Sequence, residues 1–219
     1  MYVMISSENQ WLLKLEKKIG WFALNNLALF LSALQGFGYL AYLINPAILD
    51  RISLNPAAVM SGEAWRVVTF LAIPLDNSPL FMILAIWFLY FSVNLLENHW
   101  GEFKTTFYIF ISLVMTVGFS LIVGIEIRSF RYIELSILFA LATLFPNMEM
   151  LLLVFPVKLK YLGFLSAGIV VYEFITAGNN FYRLYIFLVY TNYFVFFGGY
   201  AINSIYQAYR RWNYKRNIK

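Results

Sequence analysis

The sequence predicts an all-α integral membrane protein that crosses the bilayer six times, and three observations carry that expectation. Apolar residues make up 62% of the 219 positions and charged residues only 12%, against roughly half and one quarter in soluble domains. There are six apolar runs bounded by charge, proline or glycine, and all but one stand at or near the length of about 20 residues that crosses hydrocarbon. Lysine and arginine are also unevenly divided between alternate loops.

The elements follow in order. Residues 1–20 read as a cytoplasmic or interfacial segment: Trp11, Leu12, Leu13 and Leu15 interleave with Lys14, Lys17 and Lys18, the pattern of a short helix lying in the membrane surface. The stretch lacks the small-residue cleavage site of a secretory signal. The membrane domain covers 21–206. Its first run, 21–44, ends at Asn45-Pro46, and the second, 79–96, is closed by Glu97, His99 and Gly101. The third is 105–124, the fifth 161–178 and the sixth 184–206. The fourth, 132–145, is too short to cross alone and is followed by Pro146, Asn147 and Glu149. A short span needs neighbours to satisfy its ends, which predicts a central helix surrounded by the others. The alternative is a longer helix, kinked at the proline, running on to Phe155. Residues 207–219 form a basic tail.

Counting Lys and Arg on the two sides gives eleven on the side of the termini and five on the other, which places both termini in the cytoplasm. The loop 46–77 is then external. Its 32 residues exceed what a connection requires, and its mixture of apolar pairs and single polar residues predicts an interfacial position. Cysteine is absent, which removes disulfides and thiolate metal sites, and the one histidine, His99, reads as an interfacial side chain. The net charge of +5 comes from residues flanking apolar runs. Membrane lipids, not nucleic acid, are the partners it predicts. No cofactor is expected.

Three stretches share an order and spacing: Gly62-Glu63-Ala64-Trp65-Arg66-Val67-Val68-Thr69 in the first loop, Glu97 followed by Gly101 and Lys104, and Phe155-Pro156-Val157-Lys158 before the fifth run. Together they resemble the rhomboid superfamily. The resemblance implies a six-helix rhomboid-like bundle with a short fourth helix, an embedded first loop and a cytoplasmic N-terminus. The scaffold residues it marks are Trp65, Arg66, Thr69, Glu97, Gly101, Gly198 and Gly199.

The resemblance stops at the chemistry. An active rhomboid carries Gly-x-Ser-Gly at the start of helix four and a His on helix six, whose imidazole takes the serine proton. Aligned back from Leu144-Phe145-Pro146, the nucleophile region falls on 129–134, which has no such motif. The base position falls on Phe196 of Phe196-Phe197-Gly198-Gly199, and the oxyanion donors of helix two fall on Phe81 and Ala85. Ser129 and Ser136 remain as nearby hydroxyls. The resemblance therefore implies a non-catalytic, Derlin-like pseudoprotease that binds transmembrane segments or membrane-protein clients. Two alternatives stand beside it: an intramembrane serine protease with displaced residues, and a small membrane transporter, for which the repeat expected of such a fold is not found.

The remaining signals are polar residues at helical spacing. Ser112, Thr116, Ser120 and Gly124 form a row four apart on the third run, the pattern of close helix packing. Arg131, Glu134, Glu173, Asn192 and Asn203 are candidates for a polar recess or client contact. Arg131 and Glu134, three apart, can pair on one helix face. Glu173 is the one carboxylate well inside a run. It reads either as a recognition group facing the bundle or as a surface carboxylate paired with Arg183.

Overall fold

The computed structural model describes residues 10–152 and 155–198. Gly199, Asn203 and the basic tail lie outside the described residues. The chain is mostly helical. Helix α1 (Gln10–Ile19) is amphipathic: Leu12 is buried, while Lys14, Lys17 and Lys18 are exposed. Helix α2 (Leu27–Ile44) starts later than the apolar run beginning at 21, because Asn26 adopts a left-handed backbone (φ 55°) that cannot continue a helix.

The long first loop is built from short helices, α3 (Ile48–Ile52), α4 (Pro56–Met60) and α5 (Arg66–Thr69). Asn55 caps α4 by accepting from the Ala58 N–H at 3.2 Å. The loop then folds back onto α2. Gln35 donates to the Leu71 carbonyl at 2.5 Å, and a Cβ on Gly38 would overlap the Ala72 carbonyl. Only glycine lets the two backbones lie so close.

Helices α6 (Pro79–Trp100) and α7 (Glu102–Val123) are joined by Gly101 alone, at φ 85°, ψ 165°. That conformation is essentially reserved for glycine. Helix α8 (Arg131–Leu144) is 14 residues long, or about 21 Å at 1.5 Å per residue, against roughly 30 Å of hydrocarbon. Its Ile133, Ile137, Ala140 and Leu141 are buried among the other helices, which gives the expected central short helix. The alternative of a kinked helix running to Phe155 is overturned. Pro146 has no N–H to extend the ladder, and the chain turns into a hairpin, β1 (Glu149–Leu152) against β2 (Phe155–Lys158), with Glu149 opposite Lys158.

Helix α9 (Leu159–Thr176) packs against α8 where Gly163 meets Ala142, and a Cβ on Gly163 would lie 2.5 Å from that of Ala142. Helix α10 (Asn180–Val189) is capped by Asn179, which accepts from the Phe181 N–H at 2.9 Å. The sixth run is not one continuous helix. It breaks in a turn at Tyr190 and resumes at 191–198.

Four helices, α2, α6, α7 and α9, are long and apolar enough to cross a membrane. Their outward faces carry large exposed apolar side chains, among them Phe37 and Ile44 of α2 and Phe164 and Tyr172 of α9. Water would penalise such faces and lipid does not.

Candidate functional site

The residues marked by the sequence motifs act as ties between elements. Arg66 is 7% exposed. Its guanidinium pairs with Glu63 at 2.6 Å and donates to the carbonyls of Asp50 (2.7 Å) and Ser53 (3.0 Å). Thr69 donates to the Ile52 carbonyl at 3.3 Å. These are the carbonyls that the end of α3 leaves without helical partners. Arg66 and Thr69 thereby close the loop on itself, while Trp65, 57% exposed, faces outward. A bridge between Leu54 and Ile127 and an ion pair between Asp50 and Arg128 join the loop to the α7–α8 connection. The Asp50 and Glu126 carboxylates push Arg128 up from its ordinary value.

Glu97 works at the opposite end of α6. Its carboxylate accepts from the Leu27 N–H at 2.7 Å. It therefore supplies a negative charge and an acceptor to the start of α2, where N–H groups are unpaired. His99 is exposed and meets the Phe145 ring edge-on at 4.9 Å. Gly198 needs no special space, since a Cβ there would meet nothing within 4 Å.

The polar centre lies where α7, α8 and the broken helix six meet. At the break, the Tyr193 N–H bonds the Asn192 side-chain oxygen at 2.7 Å and so does not take its helical acceptor, the Val189 carbonyl. Ser112 fills that vacancy by donating to Val189 at 2.8 Å. The Asn192 amide donates to the Tyr108 carbonyl (3.2 Å) and to the Ser136 hydroxyl oxygen (2.9 Å). Ser136 itself donates to the Ile133 carbonyl at 3.0 Å, and Tyr108 donates to the Ser136 carbonyl at 2.7 Å. Every one of these side chains is buried, so each bond is needed to offset desolvation.

This arrangement decides what Ser136 can do. Its hydroxyl proton rests on a backbone carbonyl, and its oxygen is engaged by an amide that has no basic lone pair. Among the described residues no group beside it can take the proton from the hydroxyl. The helix-six residue that reaches Ser136 is Asn192, one turn before Phe196. Phe196 sits among aromatics, its ring 5.2 Å from Trp100 and 5.1 Å from Tyr108. Ser129, exposed, accepts from the Arg131 N–H at 3.1 Å and serves the start of α8.

A second cluster gathers at the first turn of α8 and the last turn of α9. Arg131 pairs with Glu173 at 3.0 Å, and Tyr132 donates to the other Glu173 oxygen at 2.8 Å while meeting the Tyr182 hydroxyl at 2.5 Å. Two expectations are corrected here. Arg131 pairs across helices with Glu173, not along its own helix with Glu134, because Glu173 lies opposite the start of α8 and is also fixed by Tyr132. Glu134, half-buried, has no ion-pair partner among the described residues. Nor does Arg183 reach Glu173; it donates to the Ile175 carbonyl at 3.2 Å.

Sequence reasoning missed Tyr108, although it lies four residues before Ser112 and extends that row by one turn. It also missed Tyr132 and Tyr182, which no spacing linked to Glu173. Among the described residues no cluster of His, Cys, Asp or Glu could hold a metal ion. Fold and site together define a helical integral membrane protein with a buried polar centre. No protein-family model, curated protein or solved structure matches the chain.

Proposed function

We propose that this protein is a rhomboid-like pseudoprotease, a six-span membrane protein with both termini in the cytoplasm that binds transmembrane segments of other proteins without cutting them. The observation that carries the reading is the Asn192–Ser136 bond. The buried hydroxyl of Ser136 meets an amide, which cannot act as the base that a serine hydrolase needs. The resemblance of the Trp65-Arg66 loop, Glu97 and Gly101 supplies the family, and the enclosed, short α8 supports it. In the six-span reading, α8 and the broken helix six complete the bundle formed with the four long helices.

Client recognition falls on the Arg131–Glu173–Tyr132 cluster, which is polar, lies at a helix-end rim and is only partly covered: the Glu173 side chain is 22% exposed and that of Arg131 48%. A client helix with a polar or basic residue near its end would satisfy it. A fluorophosphonate probe tests the catalytic half of the proposal. Neither Ser136 nor Ser129 should be labelled in the full chain in vesicles. Labelling that disappears in Ser136→Ala would restore the protease reading.

A further inference from the structure

Between α9 and the broken helix six, with α8 as its floor, the bundle is open sideways in a groove of about 620 Å³. Small residues, Ala142 of α8 and Gly163 and Ala167 of α9, line its inner part, and Phe164, Phe187 and Phe194 line its sides. The hydroxyls of Thr143 and Tyr193 also face this region, but they bond one another at 2.8 Å. The surface is therefore apolar along its length. At one end stands Lys160. Its ammonium lies 5.1 Å from the centre of the Tyr161 ring and has no carboxylate partner among the described residues. Lys158, two residues earlier, is paired with Glu149 at 3.6 Å. The groove thus offers an unneutralised cation at its mouth and hydrocarbon beyond.

We infer that this groove is a binding site for an anionic phospholipid, with one acyl chain in the groove and the headgroup phosphate at Lys160. A single acyl chain suits the size of the groove. The groove holds about 620 Å³, which is within the range of small-ligand pockets. Charge selects the headgroup, since basic positions at the edge of a bundle draw anionic lipids. The site is separate from the Arg131–Glu173 cluster, so the inference does not rest on client binding.

The test uses the full chain in vesicles of phosphatidylcholine and phosphatidylglycerol, with a diazirine on the acyl chain of either lipid. Labelled residues are mapped by peptide mass spectrometry. The phosphatidylglycerol probe should label Phe164 and Phe187 well above Phe37 and Leu40, which are equally lipid-facing on α2. Lys160→Gln should lower the preference for phosphatidylglycerol over phosphatidylcholine about fivefold, as expected for one basic residue near a membrane surface. Ala167→Phe should remove groove labelling by both probes while leaving labelling on α2 unchanged. Equal labelling of α2 and the groove would overturn the inference, as would a lipid preference indifferent to Lys160→Gln. It would also fall if the groove proved to be covered by residues 199–219 or by a co-purified transmembrane helix in place of lipid.

Discussion

At Asn192 the cost of placing an amide in a water-free interior is offset by two donated bonds, to Tyr108 and Ser136. Asn192→Ala would leave the Ser136 oxygen without its donor and the Tyr193 N–H without its acceptor, and a buried unsatisfied group costs about 1–3 kcal/mol. The melting temperature of the purified protein in detergent should fall accordingly, whereas Ser129→Ala, which loses one exposed bond at the start of α8, should cost no more than about 1 kcal/mol. Glu173 calls for a different outcome. Its pair with Arg131 is partly exposed, and pairs of that kind contribute about 0–1 kcal/mol. Glu173→Gln keeps the bond from Tyr132, so stability should barely move. Capture of a client helix bearing a basic residue should drop, and undiminished capture would reduce Glu173 to a structural role. The importance of Asn192 and Ser112 was legible, because polar side chains in an apolar run must find partners. Their actual partners were not: the run 184–206 has no proline or glycine near 190, and nothing in it announced a break that would free the Val189 carbonyl.

Helix boundaries were legible where the chain carries a physical stop. Pro79 begins α6, Gly124 ends α7 at φ 78° and Pro146 follows the end of α8. The hairpin after α8 was not legible, because 149–158 is as apolar as a helix continuation and its pairing depends on a partner strand. Two glycines carry element-level predictions. Gly101→Ala forces a side chain into a conformation that costs about 1–3 kcal/mol. A thermal melt should register that loss, while Gly20→Ala, which meets nothing within 4 Å, should not. Gly38→Ala should be worse than an ordinary overpacking change of about 1–3 kcal/mol, since backbone and not a flexible side chain occupies the space. The yield of folded protein after detergent extraction is the measurement. Parent-like yield would mean that the first loop can move away from α2.

For the whole molecule, the apolar composition announced a membrane protein, which the four long apolar helices support, and the Lys/Arg bias predicts an orientation. The four long helices were visible as runs because lipid-facing sides stay apolar all round. The arrangement of the ties was less visible: Arg66 binding carbonyls of α3 and Glu97 capping α2 are contacts between distant segments, and the sequence offered only the family resemblance to suggest them. Orientation is testable directly, because the chain has no cysteine of its own. A cysteine introduced at Ser61 should react with a membrane-impermeant maleimide added outside intact cells, and one introduced at Lys215 should react only after the membrane is opened. The central claim, binding without cutting, is tested most directly by reconstituting the full chain with a labelled model transmembrane helix that carries a basic residue near one end. Cleavage and co-capture are then measured on the same sample. The expected result is intact helix recovered with the protein and no cleavage product. Cleavage that is abolished by Ser136→Ala would contradict the account.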